Sequence, residues 1–185
     1  KPIILSTGMA TIEEIDKIVK IIKKKNNISV LHTISTYPTS ILKTNLHSIK
    51  FLQKRYNLIS GYSDHCIGWE ACNLAVVMGA KIIEKHFTLD NEREGFDHKI
   101  SLNPSNFKKM VADIRRIEKI IGIFDKKPTK EELKVKNNVL RYCVASKDII
   151  KGETININNV YFKRLSKVKK AIKAFNFNQI NEKKS

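Results

Sequence analysis

Short apolar runs alternate with longer stretches of helical spacing along the first 125 residues of the chain. The runs fall at residues 3–7, 28–34, 58–62 and 81–88, and their lengths and β-branched residues predict strands. Apolar residues three or four positions apart follow each run and predict helices that start near residues 12, 45, 69 and 104. Repeated strand–helix units of this kind are typical of an α/β fold with a parallel sheet.

Four strand–helix units leave two architectures open. A (β/α)8 barrel has eight such units in about 200 to 250 residues, so residues 1–124 form either a small open α/β sheet or the second half of a barrel. Residues 125–138 are polar, contain Pro128 and are interpreted as a linker. Short β-like runs near 139–145 and 160–163 predict a small β-rich second domain over residues 139–185, with an irregular tail.

Composition places the chain among globular proteins. Of its 185 residues, 42% are hydrophobic, which is enough for a packed core. No apolar run approaches the ~20 residues that span a bilayer, and the first residues lack the pattern of a signal peptide. Three cysteines without a CxxC spacing fit a reducing compartment. We therefore expect a cytoplasmic protein with no membrane partner.

The basic charge is concentrated toward the C-terminus. The formal net charge is +17, and residues 126–185 carry 16 basic against 5 acidic side chains. A basic patch of this kind can bind nucleic acid. However, the sequence contains no zinc finger, no helix-turn-helix and no alternation of aromatic and basic residues. We interpret the lysines as a solvated surface and expect no nucleic-acid partner.

Polar residues follow the four predicted strands at the ends where parallel sheets collect functional groups. Because side chains alternate between the two faces of a strand, their spacing identifies those that share one face. These are Ser6 on the first strand, Ser35 and Tyr37 on the second, Ser63 and His65 on the third, and Glu84 and His86 on the fourth. Their coincidence at four consecutive strand ends favours a functional site.

His65 and His86 are the candidate metal ligands. They stand 21 residues apart on adjacent strands. Adjacent strands lie about 4.8 Å apart, so two imidazoles on one face can share a divalent cation. Glu84 points the same way, one layer deeper. Taken alone, either histidine would more commonly be a hydrogen-bonded structural residue, but the pair with its carboxylate favours a metal site.

The remaining polar candidates are less specific. Asp97 lies in a loop after the fourth strand, where it can begin a turn, bind a sugar hydroxyl or serve in acid–base chemistry. His32 and His47 are interpreted as structural residues. Cys66 and Cys72 have poor spacing for zinc and are interpreted as small apolar residues.

Five motifs, in this order, resemble the sialic acid synthase family. They are Ser6-Thr7-Gly8, Tyr37-Pro38, the string GYSDH at 61–65, the string EKHFTLD at 84–90, and Asp97-His98. Members of that family join phosphoenolpyruvate to an N-acyl hexosamine and release phosphate. A later stretch, 144–153 with Lys163-Arg164, resembles the family's antifreeze-like (SAF) domain.

The resemblance implies a fold and a set of roles. The chain would supply the last four strands of a TIM barrel, followed by a truncated SAF domain. His65 and His86 would bind a divalent cation, Mn²⁺ or Mg²⁺, and Glu84 and Asp97 would be catalytic. Substrate would be bound by Ser6, Ser35, Tyr37, Ser63 and Arg164, the last reaching a partner's site in a homodimer with swapped SAF domains. The 185 residues alone are expected to be inactive.

The chain departs from the family pattern at three positions. Ser35 replaces a common asparagine, Phe96 a proline, and Leu165 a proline. Two alternatives to the synthase hypothesis therefore stay open. One is a non-catalytic basic α/β–SAF binding module, and the other is a different phosphoenolpyruvate-dependent synthase of the aldol type.

Overall fold

The computed structural model describes residues 1–23, 27–165 and 171–184, which divide into two compact units. The first unit, Lys1–Ile123, contains the strands β1 (Ile3–Ser6), β2 (Ile28–Thr33), β3 (Ile59–Asp64) and β4 (Ile83–Lys85). Its helices are α1 (Ile12–Lys23), α2 (His47–Tyr56), α3 (Glu70–Val77), α4 (Phe96–Ile100) and α5 (Pro104–Ile121), with a 3-10 helix at Ile41–Lys43.

The four strands form one curled parallel sheet in the order β1-β2-β3-β4. This confirms the predicted α/β fold of the first unit and is consistent with part of a TIM barrel. The fourth strand is shorter than the predicted 81–88. After β4, Phe87 forms an isolated bridge with Leu102, because the backbones of residues 86 and 88 hydrogen-bond to Leu102.

The outer face of the sheet carries an apolar core. Helix α1 begins with a capping box, in which Thr11 and Glu14 each accept a hydrogen bond from the other's backbone N–H. Its buried residues Ile15 and Val19 pack with Val30 of β2. Burial of this apolar stripe fixes the helix on the sheet, since a short helix has little stability of its own.

The inner face has a tightly packed layer around Gly61. A Cβ atom at this position would lie 2.4 Å from the carbonyl oxygen of Ile82 and 2.5 Å from Cδ2 of Leu31. Only a glycine therefore lets β3 approach its neighbours so closely. Because Ser63 lies two residues further along β3, this layer forms the floor beneath the polar strand ends.

The second unit, Phe124–Ser185, contains helix α6 (Lys130–Val139) and the antiparallel strands β5 (Arg141–Ala145) and β6 (Val160–Arg164). Most of α6 falls in residues 125–138, which the polar composition indicated as a linker. The helix forms there because Thr129 and Glu132 make a capping box. A 3-10 helix, Ala174–Gln179, packs against the strands through edge-to-face contact of Phe177 with Phe162.

Part of the predicted irregular tail, residues 166–170, lies outside the described residues. In the described part of the chain, none of the helices has the length and apolarity needed to cross a membrane.

An ion pair joins α1 to α2 on the surface of the first unit. Nε and Nη2 of Arg55 donate to the carboxylate of Asp16, at 2.8 and 2.6 Å. The Tyr56 hydroxyl donates to the same carboxylate at 2.8 Å. The hydrogen bonds from Arg55, and then that from Tyr56, lower the pKa of Asp16 to about 2. Asp16 therefore favours the folded state only while it is ionised.

Replacing Asp16 by Asn is expected to change how stability depends on acid. Because the pKa of Asp16 is near 2 in the folded chain and about 3.9 unfolded, its contribution is complete above pH 4 and lost as the pH falls toward 2. The difference in free energy of unfolding between wild type and Asp16→Asn, from urea titrations, should therefore shrink across that window. Asp148→Asn is the control, and a difference that stays constant from pH 6 to pH 2 would contradict the prediction.

Candidate functional site

The ends of β3 and β4 place a serine and a carboxylate together on the inner face. Ser63 and Glu84 are register partners, and the Ser63 hydroxyl donates to Oε1 of Glu84 at 2.7 Å. Ser63 is buried, whereas Glu84 is exposed. The carboxylate therefore orients the hydroxyl, while Glu84 itself stays accessible to solvent.

The two histidines meet one step beyond this pair. The ring centroids of His65 and His86 lie 5.2 Å apart with the planes at 67°. Tyr37, from the segment after β2, stacks on His65 at 4.1 Å and meets the edge of His86 at 5.9 Å. The predicted placement of the imidazoles on one face of adjacent strands is therefore what the structure shows.

The hydrogen bond of His65 fixes which ring nitrogen is free. Its Nδ1 lies 2.8 Å from the carbonyl oxygen of Ile34. A carbonyl oxygen can only accept, so Nδ1 carries the proton and Nε2 of the neutral ring keeps its lone pair. This is the arrangement of histidines that bind metals, in which a backbone carbonyl commonly orients the ring. His65 is thus prepared to donate a lone pair from Nε2.

Asp97 approaches the second histidine from the first turn of helix α4, at a position where the sequence predicted a loop. Its Oδ2 lies 3.9 Å from Nδ1 of His86, beyond hydrogen-bonding distance. Asp97 is largely exposed and His86 about 29% exposed. Tyr37, Ser63, His65, Glu84, His86 and Asp97 are called the strand-end cluster from here on.

A hydrogen-bond network joins the loop after β4 to helix α4, which carries Asp97. The Thr88 hydroxyl donates to the carbonyl of Asp90 at 2.8 Å, so Nδ1 of His98, 2.7 Å away, must donate to Thr88. The side-chain amide of Asn91 donates to the carbonyls of His98 and Ser101, at 2.8 and 2.9 Å. Sequence reasoning missed this network, although Thr88 has the same alternation as His86 and was identifiable on that basis.

Three predicted site residues lie outside the strand-end cluster. Ser6 ends β1, and Ser35 follows β2, at the same edge of the sheet. A Cβ atom built on Gly8 would lie 3.9 Å from the Ser35 hydroxyl oxygen, so these two segments are neighbours. Arg164 belongs to β6 in the second unit, where its register partner is Arg141.

His32 differs from His65 and His86 in its surroundings. It is buried, and its Nε2 lies 2.7 Å from the carbonyl oxygen of Thr44. Burial lowers the pKa of His32 despite this hydrogen bond, so the ring is neutral and donates to the carbonyl. His47 is exposed at the start of α2. Both positions agree with a structural interpretation.

The strand-end cluster offers two imidazoles as a partial set of metal ligands. Within residues 1–23, 27–165 and 171–184, no group of three or more His, Cys, Asp or Glu side chains is arranged to hold a metal ion. A divalent cation at His65 and His86 would therefore need further ligands from substrate, water or other protein groups.

An open cavity of about 640 Å³ adjoins the strand-end cluster at Tyr37. Its lining includes the apolar residues Pro38 and Ile67 and the charged residues Arg93, from the loop after β4, and Lys99, from α4. A cavity of this volume is within the range of small-molecule sites.

Comparison with known proteins agrees with this geometry. The model of the NeuB family matches residues 1–126. The chain is 42% identical over 168 residues to the N,N'-diacetyllegionaminic acid synthase of Campylobacter jejuni, covering 89% of this chain and 50% of that protein. It is 45% identical over 163 residues to the pseudaminic acid synthase of the same organism, covering 86% of this chain and 47% of that one.

A solved structure shows the same relation. The crystal structure of N-acetylneuraminic acid synthetase from Leptospira borgpetersenii, in complex with citrate, superposes with a TM-score of 0.67 at 40% identity, over 74% of this chain and 49% of that one. The chain thus spans about half the length of the relatives it matches. With a family match over residues 1–126, and with relatives that make sialic, legionaminic and pseudaminic acids, the chain belongs to the NeuB family of nonulosonic acid synthases.

Proposed function

We propose that the strand-end cluster is part of the active site of a synthase that joins phosphoenolpyruvate to an N-acyl hexosamine such as N-acetylmannosamine. The observation that carries this proposal is the contact of the two imidazoles, with Nε2 of His65 free, beside the hydrogen-bonded Ser63–Glu84 pair. The matched relatives are synthases of acids of this class. The activity is proposed for a protein that contains these residues together with the rest of such a barrel.

The proposed reaction forms one carbon–carbon bond and one carbon–oxygen bond, the latter from water, and breaks the carbon–oxygen bond to phosphate. Carbon 3 of phosphoenolpyruvate attacks the aldehyde carbon of the open-chain sugar, whose oxygen gains a proton. Water adds at carbon 2, loses a proton, and phosphate leaves with its bridging oxygen. A divalent cation, Mn²⁺ or Mg²⁺, held by His65 and His86 would supply Lewis-acid polarisation of the aldehyde.

The protein groups have separate roles in this proposal. Ser6 and Ser63 bind the phosphate or carboxylate of phosphoenolpyruvate, and Glu84 orients the Ser63 hydroxyl through their 2.7 Å hydrogen bond. Tyr37 and Ser35 contact the sugar from the segment after β2. Asp97, 3.9 Å from His86, is placed to accept a proton or a sugar hydroxyl hydrogen bond. The open cavity beside Tyr37 would receive the acceptor sugar.

The second unit has a proposed role in assembly. We propose that it corresponds to the SAF domain and that Arg164 on β6 contacts substrate in the partner subunit of a swapped homodimer. Its support is the short antiparallel β5–β6 pair, which presents Arg164 and its register partner Arg141 at one end. A guanidinium is suited to phosphate and carboxylate because it can donate two parallel hydrogen bonds.

Cation binding tests the role of the two histidines directly. We expect the 185-residue chain to bind Mn²⁺, followed by loss of the free-ion signal in electron paramagnetic resonance. His65→Ala and His86→Ala should each weaken binding by at least about tenfold, because each removes one ligand. His47→Ala, an exposed histidine of α2, is the matched control. Equal affinity in all four proteins would contradict the metal assignment.

Phosphate release tests the proposed reaction. With phosphoenolpyruvate, N-acetylmannosamine and Mn²⁺, the 185 residues alone are expected to release phosphate no faster than their His65→Ala variant, because active-site groups act together rather than additively. A hybrid carrying the preceding half of the Campylobacter jejuni legionaminic acid synthase should gain phosphate release, reduced at least about 100-fold by His65→Ala. Substantial turnover by the 185 residues alone would contradict the need for the other half. A folded but inactive hybrid would contradict the synthase proposal.

The hydrogen bonds of Asn91 are expected to contribute to the free energy of unfolding. Asn91→Ala removes two hydrogen bonds from the Asn91 amide and the acceptor for Asn103, so we expect a loss of about 1 to 3 kcal/mol in the free energy of unfolding. Urea titration measures it. Glu92→Ala, an exposed neighbour, should change stability by less than about 0.5 kcal/mol. Equal effects of the two substitutions would show that the network does not hold the loop.

A further inference from the structure

A buried ion pair lies directly behind the strand-end cluster. Lys85 of β4 donates to Oδ2 of Asp64 on β3 at 2.8 Å, and the two side chains are 1% and 0% exposed. Asp64 and Lys85 are register partners, one step along from Ser63 and Glu84. Because successive side chains alternate between faces, the ion pair lies on the helix side and the strand-end cluster on the inner side.

Lys85 holds both residues that flank His65. Its ammonium donates to the carboxylate of Asp64 and also to the backbone carbonyl of Cys66. Lys85 itself directly precedes His86 in the chain. One ammonium group therefore ties the residues on either side of the first imidazole to the residue next to the second.

Asp64 has further partners that fix its own position. Its Oδ1 accepts hydrogen bonds from the Tyr62 hydroxyl and the Cys66 N–H, both at 3.0 Å. The Cys72 thiol of α3 donates to Oδ2 at 3.4 Å. Burial would raise the pKa of Asp64, but the hydrogen bond and charge of Lys85, with the Cys66 N–H, outweigh it and lower the pKa. The carboxylate is thus ionised and fully partnered.

A buried pair of this kind adds little net stability, but it can select one arrangement of the chain over another. Removing two charges from water costs about as much as their attraction returns, whereas leaving one buried charge without its partner is strongly unfavourable. Strand β4 has only three residues, so its backbone pairing alone gives a weak preference for one register. A shift by one residue would turn Lys85 to the inner face and leave Asp64 without its cation.

We propose that Asp64 and Lys85 are positioning residues, whose ion pair fixes the register of β3 with β4 at the strand ends and so holds the His65 and His86 rings in contact on the opposite face. The geometric part of this proposal is independent of any ligand. Its importance for catalysis rests on the proposed function.

The test removes both charges and keeps the two hydrogen bonds that Oδ1 of Asp64 accepts. In Asp64→Asn combined with Lys85→Met, the amide oxygen can still accept from Tyr62 and Cys66, and no buried charge is left unpaired. Lys85→Met alone should unfold at a much lower urea concentration, because it leaves the buried Asp64 carboxylate without its cation. Most of that loss should be recovered in the double variant.

Nuclear magnetic resonance of the histidine rings reports on positioning without a metal. In wild type we expect a nuclear Overhauser effect between the His65 and His86 rings, whose centroids are 5.2 Å apart. In the folded double variant it should fall by at least about half, and Mn²⁺ affinity should fall at least about tenfold, as for loss of a group that orients a metal ligand. The matched control is Glu118→Gln with Arg115→Met, an exposed ion pair of α5, which should change neither measurement.

A conservative variant keeps the test decisive if the double variant does not fold. Lys85→Arg retains the charge, but the planar guanidinium does not reproduce the geometry of a compact ammonium. It should fold and give a ring contact intermediate between wild type and the double variant. A folded double variant with the wild-type ring contact would overturn the proposal. If the double variant does not fold, Lys85→Met alone would overturn it by keeping that contact while folded in the absence of urea, whereas ring contact retained in Lys85→Arg would support it. Wild type with ring contact but no Mn²⁺ binding would contradict the proposed metal site and leave the positioning role standing.

Discussion

The register between β3 and β4 is the constraint on which the rest of the structure depends. It places Ser63 opposite Glu84 on one face and Asp64 opposite Lys85 on the other. Each pair is joined by a hydrogen bond across the two strands. Because a shift by one residue exchanges the two faces, both pairs select the same register, and the contact between His65 and His86 follows from it.

The two faces of the sheet have opposite physical characters for this reason. On the outer face, helices α1 to α3 cover apolar residues such as Val30. The buried Asp64–Lys85 ion pair on this face also makes hydrogen bonds with Tyr62, Cys66 and Cys72. On the inner face, the packed layer at Gly61 gives way to polar side chains that reach solvent. Rigid support behind an accessible polar surface is what a binding site on strand ends requires.

Charged side chains have different surroundings, and therefore different roles, in different parts of this chain. The C-terminal 60 residues hold much of the +17 net charge, and most of the described lysines there are exposed. Lys85 is instead buried with Asp64 and acts through a fixed partner. The proposed chemistry therefore depends on the buried ammonium of Lys85 and on a few aligned side chains. The high net charge instead comes mainly from side chains on the solvated surface.

The sequence by itself determined the strand–helix order of the first unit and the residues that share its inner face. These follow from apolar spacing within a few residues, from the capping box at Thr11, and from alternation along each strand. The same local rules placed His65 and His86 on one side of adjacent strands. Over residues 125–138, where the polar composition indicated a linker, they did not predict helix α6, which begins at a second capping box.

Only the tertiary structure decided which atoms meet. The Ile34 carbonyl sets the free nitrogen of His65, Asn91 holds the loop after β4 against the helix that carries Asp97, and Lys85 reaches Asp64 from another strand. These partners are separated by up to 31 residues in the sequence. The periodicity of the sequence predicts the face on which a side chain lies, because the face depends only on the backbone of the strand that carries the side chain. Its partner depends on strand register and loop path, which the packing of the whole unit fixes.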